Sequence, residues 1–143
     1  MNLLFDSSAI LNTIRNMGGN AISILKSNYI LTLTIYEIGN AIWKEAKLQK
    51  RIGLNEALIL ISNISRILSK MRIIVIDNPA KVLRVAYLMR ITYYDASYIT
   101  TTAENNLILV TDDRKLLNKI GEREEILKKI FKTEIRVITS SKL

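Results

Sequence analysis

Five short runs of nearly unbroken aliphatic residues set the frame for this chain: Asn2 to Phe5, Tyr29 to Leu33, Ile73 to Ile76, Leu107 to Val110 and Ile135 to Ile138. A strand with one wet face alternates apolar and polar residues. Near-continuous Ile, Leu and Val instead mark strands buried on both faces. Helical spacing fills the gaps. Ile35 to Lys50 sets Ile35, Ile38, Ile42 and Ala46 on one face, with Lys44, Lys47 and Lys50 toward another. Gly53 closes that helix and opens the next, which runs to about Lys70. Pro79 suits the first position of a helix reaching roughly Arg90. Asp95 to Glu104, Asp112 to Ile120 and Glu122 to Phe131 complete the helical segments. Strands alternating with helices predict an α/β fold, with a central parallel sheet of about five strands between two helical layers. In such sheets ligands bind beyond the carboxyl ends of the strands, which is where chemistry should be sought.

Residue types then narrow the chemistry. The 143 residues suffice for one domain spanning 1–143, and 49 % hydrophobic content excludes a disordered chain. There is no cysteine and no histidine. That removes disulfides, thiol nucleophiles, Ser-His-Asp triads, histidine acid–base pairs and histidine-ligated zinc. Hydrolysis must run on carboxylates, hydroxyls or lysine, or on a metal that they hold. A net charge of +8 favours polyanions, nucleic acid among them. Asp6 interrupts the first apolar run, so no signal peptide is read. Leu54 to Leu68 carries Glu56, Asn63 and Arg66 and is too short and too polar to span a bilayer. A cytoplasmic protein with no membrane partner is expected.

The acids fall where the sheet rule directs attention. Asp6 follows the first run, Glu37 lies in the first turn of the helix after the second, Asp95 opens a helix, and Asp112 and Asp113 follow the fourth run. An aspartate at a strand-to-helix junction is by itself an ordinary helix cap. A glutamate in a first turn by itself complements the helix dipole. Jointly they read differently. Acids gathered at one edge of a basic protein repel each other, and a cation must neutralise them. All-oxygen ligation suits Mg²⁺ or Mn²⁺, which would acidify a water and stabilise charge on a phosphate under attack.

Asp6-Ser7-Ser8, Glu37 with Asn40, Tyr94-Asp95-Ala96-Ser97-Tyr98 and Thr111-Asp112-Asp113-Arg114-Lys115-Leu116 occur in this order and resemble the motifs of PIN-domain nucleases. The likeness is greatest to the VapC toxins of prokaryotic toxin–antitoxin pairs. It implies a PIN-like three-layer fold and catalysis by Asp6, Glu37, Asp95 and Asp113. It implies a metal held mainly by Asp6 and Asp95, with Glu37 and Asp113 completing the pocket; Asp112 is the alternative fourth acid. It further implies endonucleolytic cleavage of RNA, a homodimer and an inhibitory antitoxin protein. Two other readings in the same fold are an RNA-processing nuclease without toxicity and an inactive binding module. Ser7, Asn40 and Thr111 are candidates to support the metal ligands. Lys44, Lys47, Arg114 and Lys115 are candidates to line the RNA path. Trp43 and Tyr98 read as core or dimer contacts. The apolar helices from Ile35 to Leu68 offer more apolar surface than one small core needs, which predicts a dimer partner or an antitoxin on part of it.

Overall fold

The computed structural model describes residues 2–143. Its centre is a five-stranded sheet in the order β3-β2-β1-β4-β5, parallel throughout. The strands are β1 (Leu3–Phe5), β2 (Tyr29–Leu31), β3 (Arg72–Ile74), β4 (Ile108–Val110) and β5 (Val137–Ile138). Eight α-helices cover it: α1 (Ser7–Met17), α2 (Ala21–Leu25), α3 (Thr32–Trp43), α4 (Leu54–Leu68), α5 (Pro79–Met89), α6 (Tyr93–Glu104), α7 (Arg114–Glu122) and α8 (Glu124–Phe131).

The aliphatic runs divide their side chains between two cores, because neighbouring residues of a strand point to opposite faces. Leu3 and Phe5 of β1, Ile30 of β2 and Val110 of β4 pack with Ile10, Leu25, Ile38 and Ile64 of α1 to α4. Leu4, Leu31 and Leu109 pack with Val85, Ile99, Leu116 and Leu127 of α5 to α8. The first half of the helices therefore forms one outer layer and the second half the other, as the strand composition predicts.

Several boundaries differ from the sequence reading. Strand β2 stops at Leu31 and α3 starts at Thr32, because the Thr34 hydroxyl accepts the Leu31 N–H (3.1 Å) and turns the chain into a helix. Glu37 consequently lies beyond the first turn of α3, so the helix dipole does not explain it. Helices α1 and α2 occupy a stretch where the sequence reading marked no element. Asp6 caps α1 by accepting the Ala9 N–H, and Gly18 ends it at φ +54°, a left-handed conformation that glycine adopts without strain. Past Trp43 the backbone widens into a π-helical turn over Lys44–Leu48, replacing the regular helix expected to reach Lys50. Pro79 does stand at the start of α5, behind the Asn78 cap.

No helix of the described residues is long and apolar enough to cross a membrane. Large apolar side chains remain exposed on α3 (Ile35, Tyr36, Trp43), α4 (Leu54, Leu58, Ile59) and α5 (Leu83, Tyr87). The chain visits β2 and β3 on one side of β1, then returns to β4 on the other. The resulting crevice lies beyond the carboxyl ends of β1 and β4. Asp6 leaves the sheet at one lip, and Thr111, Asp112 and Asp113 leave it at the other.

Candidate active site

Asp6 is the fixed point of this crevice, only 6 % exposed. Its Oδ1 accepts from the Ala9 N–H (2.9 Å) and from the Ser8 hydroxyl (2.7 Å), and its Oδ2 accepts from the Thr111 hydroxyl. The same Thr111 oxygen accepts the Asp113 N–H (3.1 Å), so one threonine joins the β1 and β4 ends. Asp113 caps α7, its Oδ1 accepting from the N–H groups of Lys115 (2.9 Å) and Leu116 (3.1 Å). Capping and clustering are thus combined in one side chain: one oxygen serves the helix and the other is left over.

Glu37 arrives from α3 and Asp95 from the first turn of α6, whose cap is Thr92. The Tyr98 hydroxyl donates to Glu37 Oε1 (2.6 Å). Since that phenol has a single proton, the 2.7 Å contact between Tyr98 and Thr34 has the Thr34 hydroxyl as donor. Thr34 in turn accepts the Leu31 N–H, so a chain of bonds runs from the end of β2 to Glu37. We expect Tyr98→Phe to cost about 1.5–3 kcal/mol, the range for a hydrogen bond to a charged group, by leaving the Thr34 hydroxyl proton without an acceptor and Glu37 Oε1 without a donor. Urea denaturation of the metal-free protein checks this, and a loss below about 0.5 kcal/mol would contradict it.

The four acids feel one another. Burial raises the Asp6 carboxyl above its ordinary value, opposed by its hydrogen bonds, and Asp113 adds repulsion. Burial also raises Glu37. The Tyr98 bond opposes this, and the charges of Asp6, Asp95 and Asp113 add to it. Asp95 is raised by burial and then by Asp113. Among the described residues the ion pairs are Arg15–Glu45, Lys81–Glu104 and Lys128–Glu124, and none reaches these four. Asp112 is different. Its Oδ1 accepts the Ser140 N–H (2.8 Å), and its Oδ2 accepts the Ser140 hydroxyl (2.6 Å) and the Asn12 amide (2.8 Å). Burial alone would raise it, but these bonds hold it below the usual carboxylate range, and none of the four acids contributes to its shift. It ties α1 to the C-terminal turn, while Asp113 belongs to the cluster.

The remaining candidates sort by position. Thr111 touches two of the acids. Asn40 lines a cavity beside Glu37, but the hydrogen bond to that carboxylate comes from Tyr98. Ser7 lines a groove with Arg15, Lys44 and Arg51. Its neighbour Ser8, which the sequence reading passed over, donates to Asp6 and accepts the Asp112 N–H (3.0 Å). Arg114 borders a cavity with Asn12 and Asp112, and Lys115 borders one with Asp95, Arg90 and Lys119. Lys47 is exposed on the π turn. Of the two large aromatics, Tyr98 is core and Trp43 is half exposed. The centre is therefore acidic and its rim basic.

A hard divalent cation fits the donor chemistry here. Glu37 Oε2 and Asp113 Oδ2 accept no hydrogen bond within the described residues. Among those residues no three acids stand close enough to grip one ion together.

Comparison with known proteins places these features in context. No family model matches the chain. Exonuclease VapC9 of Pyrobaculum aerophilum is 42 % identical over 90 residues, 63 % of this chain and 65 % of that protein, so the match spans just under two thirds of the relative's length. The crystal structure of PAE2754 from Pyrobaculum aerophilum has a TM-score of 0.72 and 33 % identity, over 93 % of this chain and 91 % of that one. A toxin–antitoxin complex from Klebsiella pneumoniae includes a chain with a TM-score of 0.55 over 80 % of this chain and 88 % of its own; at 20 % identity the likeness is one of fold.

Proposed function

We propose, from its likeness to the VapC-named relative and to the PAE2754 structure, that this chain is a metal-dependent endoribonuclease of the VapC type, the toxin of a toxin–antitoxin pair. The observation that carries the reading is the meeting of Asp6, Glu37, Asp95 and Asp113 in one field, with no basic partner, in a protein of net charge +8. Burial and mutual repulsion both disfavour the charged carboxylates, and a bound cation would offset both.

Asp6 and Asp95 would hold Mg²⁺ or Mn²⁺, with Glu37 and Asp113 completing the pocket directly or through water. The ion supplies positive charge for the phosphate and acidifies a nearby water. The protein's own groups do the rest. Asp6 is locked by three donors and cannot swing away. Glu37 is held at Oε1 by Tyr98, which leaves Oε2 to take the proton of the attacking water. Lys44, Lys47, Arg114 and Lys115, joined by Arg15, Arg51, Arg90 and Lys119, hold backbone phosphates on either side. The exposed apolar residues Leu54, Leu58 and Ile59 of α4 and Leu83 and Tyr87 of α5 support a homodimer and an antitoxin protein as partners. The Klebsiella neighbour was solved as such a complex. The absence of cysteine suits the reducing cytoplasm.

A circular RNA tests the reading, because only an internal cut can open it. With Mg²⁺ the protein should linearise the circle; EDTA, or Asp6→Asn, should reduce the rate by at least about a hundredfold. Attack on linear RNA alone would replace the endonuclease with an exonuclease. Absence of cleavage of either RNA would remove the nuclease.

A further inference from the structure

Beside Glu37 lies a cavity of about 500 Å³ lined by Leu33, Tyr36, Glu37, Asn40 and Tyr94. Four of these residues lie at i, i+3, i+4 and i+7 on α3, which makes them one helix face. Tyr94 comes from the first turn of α6, immediately before Asp95. Each tyrosine is thus the chain neighbour of a clustered acid. Both are open to solvent, Tyr36 at 78 % and Tyr94 at 63 %, whereas Tyr98 nearby is 1 % exposed.

The lining decides what can enter. No lysine or arginine contributes, and one carboxylate does, so phosphate is repelled. A flat, uncharged ring is not. Two tyrosine faces offer stacking, and the Asn40 amide offers a donor and an acceptor to a ring edge. The neighbouring grooves have the opposite character: one holds Arg15, Lys44 and Arg51, the other Arg90, Lys115 and Lys119. The surface therefore separates places for phosphates from a place for something planar and neutral, directly beside the acids.

We propose that the Tyr36–Tyr94 cavity seats one unpaired nucleobase of the RNA next to the scissile phosphate. This rests on the nuclease reading above and names the residues that would hold the base beside the cut.

The probe is a random-sequence single-stranded RNA pool, bound with Ca²⁺ replacing Mg²⁺. Tyr36→Ala and Tyr94→Ala should each weaken the pool's Kd about tenfold or more, the scale of one lost base stack. The slope of log Kd against log salt should stay fixed, since no phosphate contact is removed. Tyr36→Phe and Tyr94→Phe, which keep the ring, should bind nearly as wild type. An unchanged Kd in the alanine variants overturns the proposal, as does a shallower salt slope or equal losses for Phe and Ala. So does RNA binding lost only in step with a dimer falling apart, which would assign the tyrosines to a second copy of the chain. If the wild type neither binds nor cuts RNA, the nuclease reading itself fails. If it cuts and the alanine variants bind unchanged, the base pocket alone fails.

Discussion

Asp95→Asn should lower RNA turnover by about a thousandfold and at the same time make the metal-free protein more stable at pH 7. The two effects share one cause. Asp6, Glu37 and Asp95 are each easier to protonate in the folded protein than in the unfolded chain. For carboxyls shifted in this direction, the stabilising contribution is complete below the unfolded value near pH 4 and is lost as pH rises through the raised folded values. In EDTA the wild type should therefore lose stability from about pH 4 upward, and Mg²⁺ should restore it at neutral pH. Asparagine at position 95 removes one charge from the group. Asparagine keeps a side-chain oxygen, so the Thr92 side-chain bond that opposes the shift can still be accepted. After allowing for solvent screening of a partly exposed group, the gain is about 0.5–1 kcal/mol. Urea titrations of both proteins with and without EDTA, across this pH range, measure it. A variant that matches the wild type at every pH would show that the acids do not share a field.

Phe5→Ala has the largest expected effect on stability, about 3–5 kcal/mol. Phe5 is fully buried in the middle strand, among the side chains of the α1 to α4 layer. It also immediately precedes Asp6, so its ring sets where the most rigid acid leaves the sheet. The urea midpoint should fall with an unchanged slope, and activity should disappear with the folded fraction. A cost below about 1 kcal/mol would mean that this core refills the space easily, contrary to its close packing.

Strands β1, β2 and β4 were legible because burial on both faces leaves no polar alternation to confuse; β3, at the sheet edge, kept an aliphatic run although Ile73 is half exposed, so the run overstates its burial. The β2–α3 boundary was not legible. Tyr29 to Leu33 is apolar but for Thr32, and what ends the strand is the Thr34 hydroxyl accepting the Leu31 N–H, which composition does not record. Helix α1 was hidden by its polar residues and by attention to Asp6 as a ligand, although the same carboxylate caps it. At the site, the positions of the acids after strands were readable from spacing. The separation of Asp112 from Asp113 was not, because it depends on Ser140 and Asn12, 28 and 100 residues away. Tyr98 read as core, and it is core. Its hydroxyl at the edge of that core, bonded to Glu37, was the part invisible to periodicity.

The pairing of β1 with β4 has a consequence for the life of the chain. These neighbouring strands lie near opposite ends of the sequence, and the bond from Thr111 to Asp6 spans 105 residues. While the chain is being synthesised, Asp6 emerges early and waits; Asp113 and the segment that positions it come late. A half-made copy on the ribosome therefore lacks a complete acidic centre until the second half of the sheet has been added.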